Sequence, residues 1–379
     1  MYKSPYPYFG GKSRCAPQVW RALGNVTNYV EPFFGSGAVL LARPDAHAHN
    51  AQWPKETIND KDGMVSNFWR ALQADPDAVA HHADWPVNEN DLHARHWWLV
   101  NRLPHLTAQL EGDPDYFDAK AAGWWVWGMA CWIGSGFCSG KGPWQAVDGR
   151  LVRLRNNGQG VNRKLPHLGN NGRGVNRKRP HLGNNGRGVK RKLPHLGDNG
   201  RGVNRQRPHL GGVGNGQGVN SDSASGNLHD YLQSLAERMK RVRVCSGDWT
   251  RVMGPSVTHK HGLTGIFLDP PYRQKGRAIL YNHDHQDIAD EVMHWAIDNG
   301  NHPLLRIVYA GYADGTMEVA FAEAGWMMTE WKATSGFGGQ RKQGANDNKH
   351  RERLWLSPNC IAPAKNAVQP LNLFGENNE

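Results

Sequence analysis

Apolar positions in this chain fall into short unbroken runs separated by longer stretches with helical spacing, and the two patterns alternate. Asn28–Val30 predicts a short buried strand leading into a glycine turn, with a helix through Ala38–Arg43. Glu56–Asn59 predicts a second strand that ends at Asp60, followed by a helix from Met64 to Gln73. Helical periodicity then covers Asp91–Leu110 and Tyr116–Ile133. After a long interruption come a helix at Asn227–Lys240, a strand at Val242–Cys245 and the apolar run Gly265–Leu268. A helix over Gln286–Asp298 and a strand at Leu304–Tyr309 follow, with closing strands at Trp326–Lys332 and Arg353–Leu356. Strands alternating with helices predict an α/β fold: a Rossmann-like, mostly parallel sheet with helices on both faces. Residues 358–379 are polar and form a tail expected to be frayed.

The interruption is an internal repeat of period 14, in which Asn156–Gly169, Asn170–Gly183, Asn184–Gly197 and Asp198–Gly211 are near copies and a decayed fifth runs to Asn220. Each unit sets about three apolar residues against three glycines and a proline. That buries too little surface to offset the entropy of ordering the chain, so a mobile insertion is expected rather than a solenoid. Charge sharpens the picture. Residues 150–219 hold 16 of the 45 Lys and Arg but one acid, Asp198, which leaves 29 basic against 33 acidic residues elsewhere. The net charge of +11 therefore comes from one segment. Phosphate contacts with a nucleic acid are one reading of it, and a tolerated surface expansion is the other.

Other classes are disfavoured. No apolar run approaches the roughly 20 residues that span a bilayer, so no membrane partner is expected. Met1–Gly11 has no apolar core of a signal peptide. The five cysteines are scattered, with neither zinc spacing nor a disulfide framework, which suggests a cytoplasmic chain. The pairs His259/His261 and His283/His285 have no further ligands at a recognisable spacing, and no metal is expected.

Two motifs carry candidate chemistry. The first is Glu31-Pro32-Phe33-Phe34-Gly35-Ser36-Gly37, where a strand ends in a carboxylate, a glycine turn follows and an apolar helix begins. Glycines let backbone approach a ligand closely and a helix N-terminus presents unpaired N–H groups. Leu40 stands where the dinucleotide fingerprint has its third glycine, so a pyrophosphate is not the natural guest. A carboxylate at the strand tip favours a cation, and S-adenosylmethionine carries an ammonium and a sulfonium without a phosphate. Asp60, one strand on, is placed to accept hydrogen bonds from ribose hydroxyls. Each feature has a plainer reading: the Gly-x-Gly as a tight turn and Asp60 as the cap of the next helix.

The second motif, Asp269-Pro270-Pro271-Tyr272, follows the run Gly265–Leu268. The exocyclic amine of adenine is a poor nucleophile because its lone pair is delocalised into the ring. Asp269 can accept one amino hydrogen and the Pro270 carbonyl the other, which favours a pyramidal nitrogen. Pro271 restricts Pro270 to extended backbone, fixing where that carbonyl points. Tyr272 can stack on a base taken out of the duplex. The plainer reading is a rigid turn after a strand.

With Tyr8-Phe9-Gly10-Gly11-Lys12 upstream, these motifs resemble the Dam-like, alpha-ordered (D12 class) DNA adenine N6-methyltransferases, whose order is aromatic-x-Gly-Gly-Lys, [Asp/Glu]-Pro-Phe-x-Gly-x-Gly, target recognition and Asp-Pro-Pro-Tyr. The resemblance implies a class I methyltransferase fold and double-stranded DNA as substrate. It implies that Tyr8, Gly11, Lys12, Glu31, Pro32, Phe33, Gly35 and Gly37 line the S-adenosylmethionine pocket, with Asp60 on the ribose. Gly247-Asp248-Trp249 resembles the family's Asp-Phe pair, so Asp248 and Trp249 are expected at the cofactor adenine, with Asp269 beside it. Arg351–Leu354 resembles the closing strand.

The expected organisation is a discontinuous catalytic domain (1–62 and 227–357), a helical target-recognition region (63–150), the repeat insertion (151–226) and a tail (358–379) in a monomer. Tyr8 replaces the family's usual Trp, Gly134–Gly140 stands where an Asn-Gly-x-x-Arg stretch is expected, and the repeat looks more like phage or prophage members. Alternatives are an RNA or N4-cytosine methyltransferase, or an inactive relative that only binds DNA. The indole-rich stretch Trp124–Trp132 fits a buried helix face better than a base-stacking surface.

Overall fold

The structure is a computed structural model that describes residues 2–8, 10–44, 54–132, 137–138, 144–147, 150–153, 228–271, 288–313, 315–331 and 352–362. Phe9, Tyr272, Gly134–Gly136, His283, His285, Arg351, the 14-residue repeat and most of the tail lie outside these residues.

Nine helices and nine strands are described. In chain order they are α1 (Ala16–Leu23), β1 (Asn28–Glu31), α2 (Ala38–Leu41), β2 (Lys55–Asp60), α3 (Gly63–Ala74), α4 (Pro76–Ala83), α5 (Glu89–Gly112) and α6 (Ala119–Cys131). A small antiparallel pair, β3 (Trp144–Val147) and β4 (Arg150–Arg153), precedes α7 (Leu228–Met239) and β5 (Val242–Ser246). Then come β6 (Thr264–Leu268), α8 (Ile288–Asn299), β7 (Leu305–Tyr312), α9 (Thr316–Glu323), β8 (Met327–Glu330) and β9 (Glu352–Leu356).

Seven strands form one sheet in the order β5-β2-β1-β6-β7-β9-β8. The first five run parallel, and β9 lies antiparallel between β7 and β8. Strand periodicity explains how both faces are covered. Tyr29, Phe267, Val308, Leu354 and Leu356 point into one apolar cluster, which also holds α1, α2, α3 and α7. Their neighbours Val30, Ile266, Leu268, Ile307, Tyr309 and Trp355 point into a second cluster against α8 and α9. A central strand buried on both faces appears as a continuous apolar run, which is what made β6 visible in the sequence; β1 is equally buried but carries Asn28 and Glu31.

The expected α/β architecture is present, and the helices between 63 and 131 share the first cluster with the sheet. Trp125 and Trp127 are buried on α6, so the core reading of the indole-rich stretch is the right one for them. Helix α5 runs through Pro104, which donates no hydrogen bond. Leu92, Leu99, Leu106 and Leu110 keep one face of α5 buried on either side of that proline.

Candidate functional site

The order of strands reverses between β1 and β6, because the chain builds outward through β2 and β5 before returning to the other side of β1. In open parallel sheets ligands bind at the carboxyl ends of strands at such a switch point. Both sequence motifs sit there, Glu31 closing β1 and Asp269 following β6.

Three strand ends are tied together by backbone and amide hydrogen bonds. Asn59 Nδ2 donates to the carbonyls of Pro32 (3.2 Å) and Gly247 (3.0 Å). Phe34 N donates to Asn59 O (3.1 Å) and Gly247 N to Asp60 O (3.1 Å). Asp60 then fixes the glycine turn, accepting from Gly35 N at 2.8 Å with one oxygen and from Asp62 N at 2.9 Å with the other. The cap of α3 is Asp62, which accepts from Met64 N (2.9 Å), so Asp60 is spared the capping role that its position suggested. Burial, and then the charge of Asp62, raise the Asp60 carboxyl to about 7 against the pull of its backbone donors.

Gly35 and Gly37 both have left-handed backbone, with φ of 49° and 69°. A Cβ on Gly35 would stand 2.7 Å from the Tyr8 ring, and one on Gly37 2.6 Å from the Phe34 ring. The turn is held from below by Tyr6, whose buried hydroxyl donates to Gly35 O (2.7 Å) and accepts from Trp69 Nε1 (3.1 Å).

Glu31 is buried and accepts from the Tyr29 hydroxyl at 2.8 Å. Burial holds its carboxyl well above the usual range, and Asp269 and Asp60 add to that. Across the cavity the Phe33 and Trp249 rings stack with centroids 6.3 Å apart. Asp248 caps the short 3-10 helix Trp249–Val252, accepting from Thr250 N (3.1 Å) and Thr250 Oγ1 (2.6 Å). Asp269 meets Lys12, whose Nζ lies 2.8 Å from Asp269 Oδ2 and donates to Gly10 O at 2.7 Å. Burial alone would lower the Lys12 pKa; the charges of Asp269 and Glu352 more than offset it and raise it.

Most of these groups line one open cleft, whose volume of about 860 Å³ includes space open to solvent. Of the sequence-predicted residues, Tyr8, Gly11, Lys12, Glu31, Pro32, Phe33, Gly35, Asp60, Asp248, Trp249, Asp269 and Pro271 line it. Gly37 stands behind the wall as the left-handed residue before α2, and Pro270 is buried off it. Sequence reasoning missed Asn59, Tyr6 and Glu352. A polar residue at a buried strand position, as in Lys55–Asp60, was the available signal for Asn59. Among the described residues no group of three or more His, Cys, Asp or Glu could hold a metal ion, and no helix is long and apolar enough to cross a membrane.

The segment 8–98, which carries the Lys12 turn, Glu31 and Asp60, matches the family model described as D12 class N6 adenine-specific DNA methyltransferase. No curated protein matches the chain. Over that segment the chain is similar to the D12 class adenine-specific DNA methyltransferases, and its mixed α/β sheet is compatible with that likeness.

Proposed function

We propose that the chain transfers the methyl group of S-adenosylmethionine to the exocyclic N6 amine of an adenine turned out of double-stranded DNA. The carrying observation is that Glu31 and Asp269, 238 positions apart in the sequence, line one cavity on neighbouring strands. The described lining fits the donor's chemistry. It holds five acids (Glu31, Asp60, Asp62, Asp248, Asp269) against two lysines, and Lys12 is already paired. A phosphate would be repelled there, whereas an ammonium and a sulfonium would not. The Phe33 and Trp249 pair offers a flat apolar wall for an adenine ring.

When bound, S-adenosylmethionine supplies an electrophilic methyl on sulfur. Asp269 accepts one hydrogen of the target amine with Oδ1, since Oδ2 faces Lys12. The Pro270 carbonyl accepts the second, its direction restricted by Pro271. Tyr272, outside the described residues, is assigned the stacking role on the displaced base. As the nitrogen–methyl bond forms the sulfur–methyl bond breaks, with the three atoms held in line, which is a matter of orientation, and the surplus amine proton then passes to solvent. In this scheme 1–62 and 227–357 form the catalytic unit of a monomer, 63–150 reads the target, and the basic insertion 151–226 adds phosphate contacts.

The direct test is expression in a host without DNA methylation, followed by sequencing of its DNA for N6-methyladenine. Unmodified adenine, with labelled methyl recovered on RNA or cytosine instead, would sink the reading. A pH prediction accompanies it. Below about 7 the Asp60 carboxyl is protonated in the free protein and loses its power to accept two ribose hydroxyls. Affinity for S-adenosylmethionine should therefore fall as pH drops, by up to about tenfold per unit where one proton must be released on binding. Calorimetry from pH 5.5 to 8 measures this, and Asp60→Asn should reduce the slope. A dissociation constant that ignores pH over that range would remove Asp60 from the ligand.

A further inference from the structure

The scheme above leaves one buried charge unused. Glu352 opens β9, is 7% exposed, and its Oε2 is buried with no hydrogen-bond partner. It lies within electrostatic reach of the Lys12–Asp269 pair, beside which the Trp331 ring centroid stands 6.0 Å from Lys12 Nζ. Buried polar atoms are nearly always paired, and an orphaned one beside a reacting group calls for a reason. Glu352 thus adds a second carboxylate to the field around the Lys12 ammonium, which is paired with Asp269 alone of the two.

We propose that Glu352 is a positioning residue for methyl transfer: ionised, it competes with Asp269 for the Lys12 ammonium and leaves Asp269 enough negative charge to accept the amino hydrogen. This role rests on the assignment of Asp269 as that acceptor. With Glu352 protonated, the ion pair is neutral and the Asp269 charge is largely satisfied by Lys12. With Glu352 ionised, the group of three carries one net negative charge. Among the described residues, the other titratable groups near it are Cys15, on the N-terminal segment with Lys12, and Tyr312, its register partner on β7. Arg353, next on the same strand, turns to Glu330 of β8 at 3.0 Å. Burial raises the Glu352 carboxyl to about 7, Lys12 opposing and Asp269 adding to the shift, so the change of charge falls near neutral pH.

The test compares the full chain with Glu352→Gln and Glu352→Asp from pH 5.5 to 8.5, on duplex DNA containing the methylated site. In the parent, kcat should climb by up to about tenfold per pH unit and level off above about 7. Glu352→Gln should lose that limb and remain about ten- to a hundredfold below the parent plateau, with KM for S-adenosylmethionine little changed. Glu352→Asp should keep a limb. A second readout needs no turnover. A carboxyl raised in the folded state contributes stability that is complete below its ordinary 4.5 and is lost as pH rises through about 7. The parent Tm should therefore fall more steeply from pH 5.5 to 7.5 than that of Glu352→Gln. An active parent whose pH–kcat limb persists in Glu352→Gln overturns the proposal alone, however low the variant's rate. Parallel Tm profiles overturn it too. A parent that methylates no adenine at any pH removes the functional reading, and this role falls with it.

Discussion

Asp269→Asn should lower kcat for adenine methylation by about 10²–10³-fold while S-adenosylmethionine binds within about threefold of the parent. The amide keeps the volume and one acceptor oxygen, so the 2.8 Å contact with Lys12 survives as a hydrogen bond from the ammonium to an uncharged oxygen. What disappears is the charge facing the amine as positive character develops on nitrogen. Charged acceptors are roughly twice as strong as neutral ones, and the difference grows in a site that excludes water. On the proposed assignment the donor is held by Glu31, Asp60 and the aromatic wall, none of which this change touches. Asp269→Ala should abolish turnover more completely, but it also leaves Lys12, 4% exposed, without its 2.8 Å carboxylate. Single-turnover methylation of a duplex gives the chemical step, and calorimetry gives the binding. Near-normal turnover by the asparagine variant would take Asp269 out of the reaction.

How much of this site was visible beforehand follows from the range of the interactions. Asp269 was legible because it follows the apolar run of β6, and Glu31 and Asp60 because each is the carboxylate at the end of a short strand that leads into a turn and a helix. The Gly35–Gly37 turn was legible because left-handed backbone needs glycine. The Lys12–Asp269 pair joins residues 257 positions apart, and nothing local to either one signals it. Glu352 stood just before the expected strand Arg353–Leu356 and looked like an ordinary flanking residue, since the sequence does not place β9 between β7 and β8.

The same limit applies to elements. Helices α1, α4 and α9 were not foreseen. They are eight residues each, about two turns, too short for a helical period to stand out from chance. The β3–β4 pair was missed because its four-residue strands carry too few alternations. By contrast α3, α5, α6, α7 and α8, at 12 to 24 residues, were found within a few residues of their ends.

Glu56→Ala should destabilise the fold by about 3–5 kcal/mol, the cost of breaking a buried ion pair from one side. Glu56 lies near the start of β2, at the end of the sheet away from the cavity, and is held by two arginines. Arg43 NH1 is 3.0 Å from Oε1, while Arg238 reaches Oε2 at 2.7 Å and Oε1 at 2.9 Å. All three side chains are buried. Arg43 also donates to Val26 O at 2.6 Å and lies 5.0 Å from the Trp20 ring, which fixes it in place. Removing the carboxylate therefore leaves two guanidinium groups facing each other in a dry site. The triad joins the segment before the basic insertion (Arg43, Glu56) to α7 after it (Arg238), so its loss should weaken the closure of a chain interrupted by residues 151–226. Set against the ~5–15 kcal/mol of a typical fold, the loss should appear as a large drop in the urea midpoint. Glu56→Gln should cost less, because it keeps an acceptor oxygen for one of the two arginines. Adenine methylation at low temperature should persist in whatever fraction stays folded, since no group of the triad lines the cavity. A loss below about 1 kcal/mol, the scale of an exposed pair, would mean that water reaches both arginines once the carboxylate is gone.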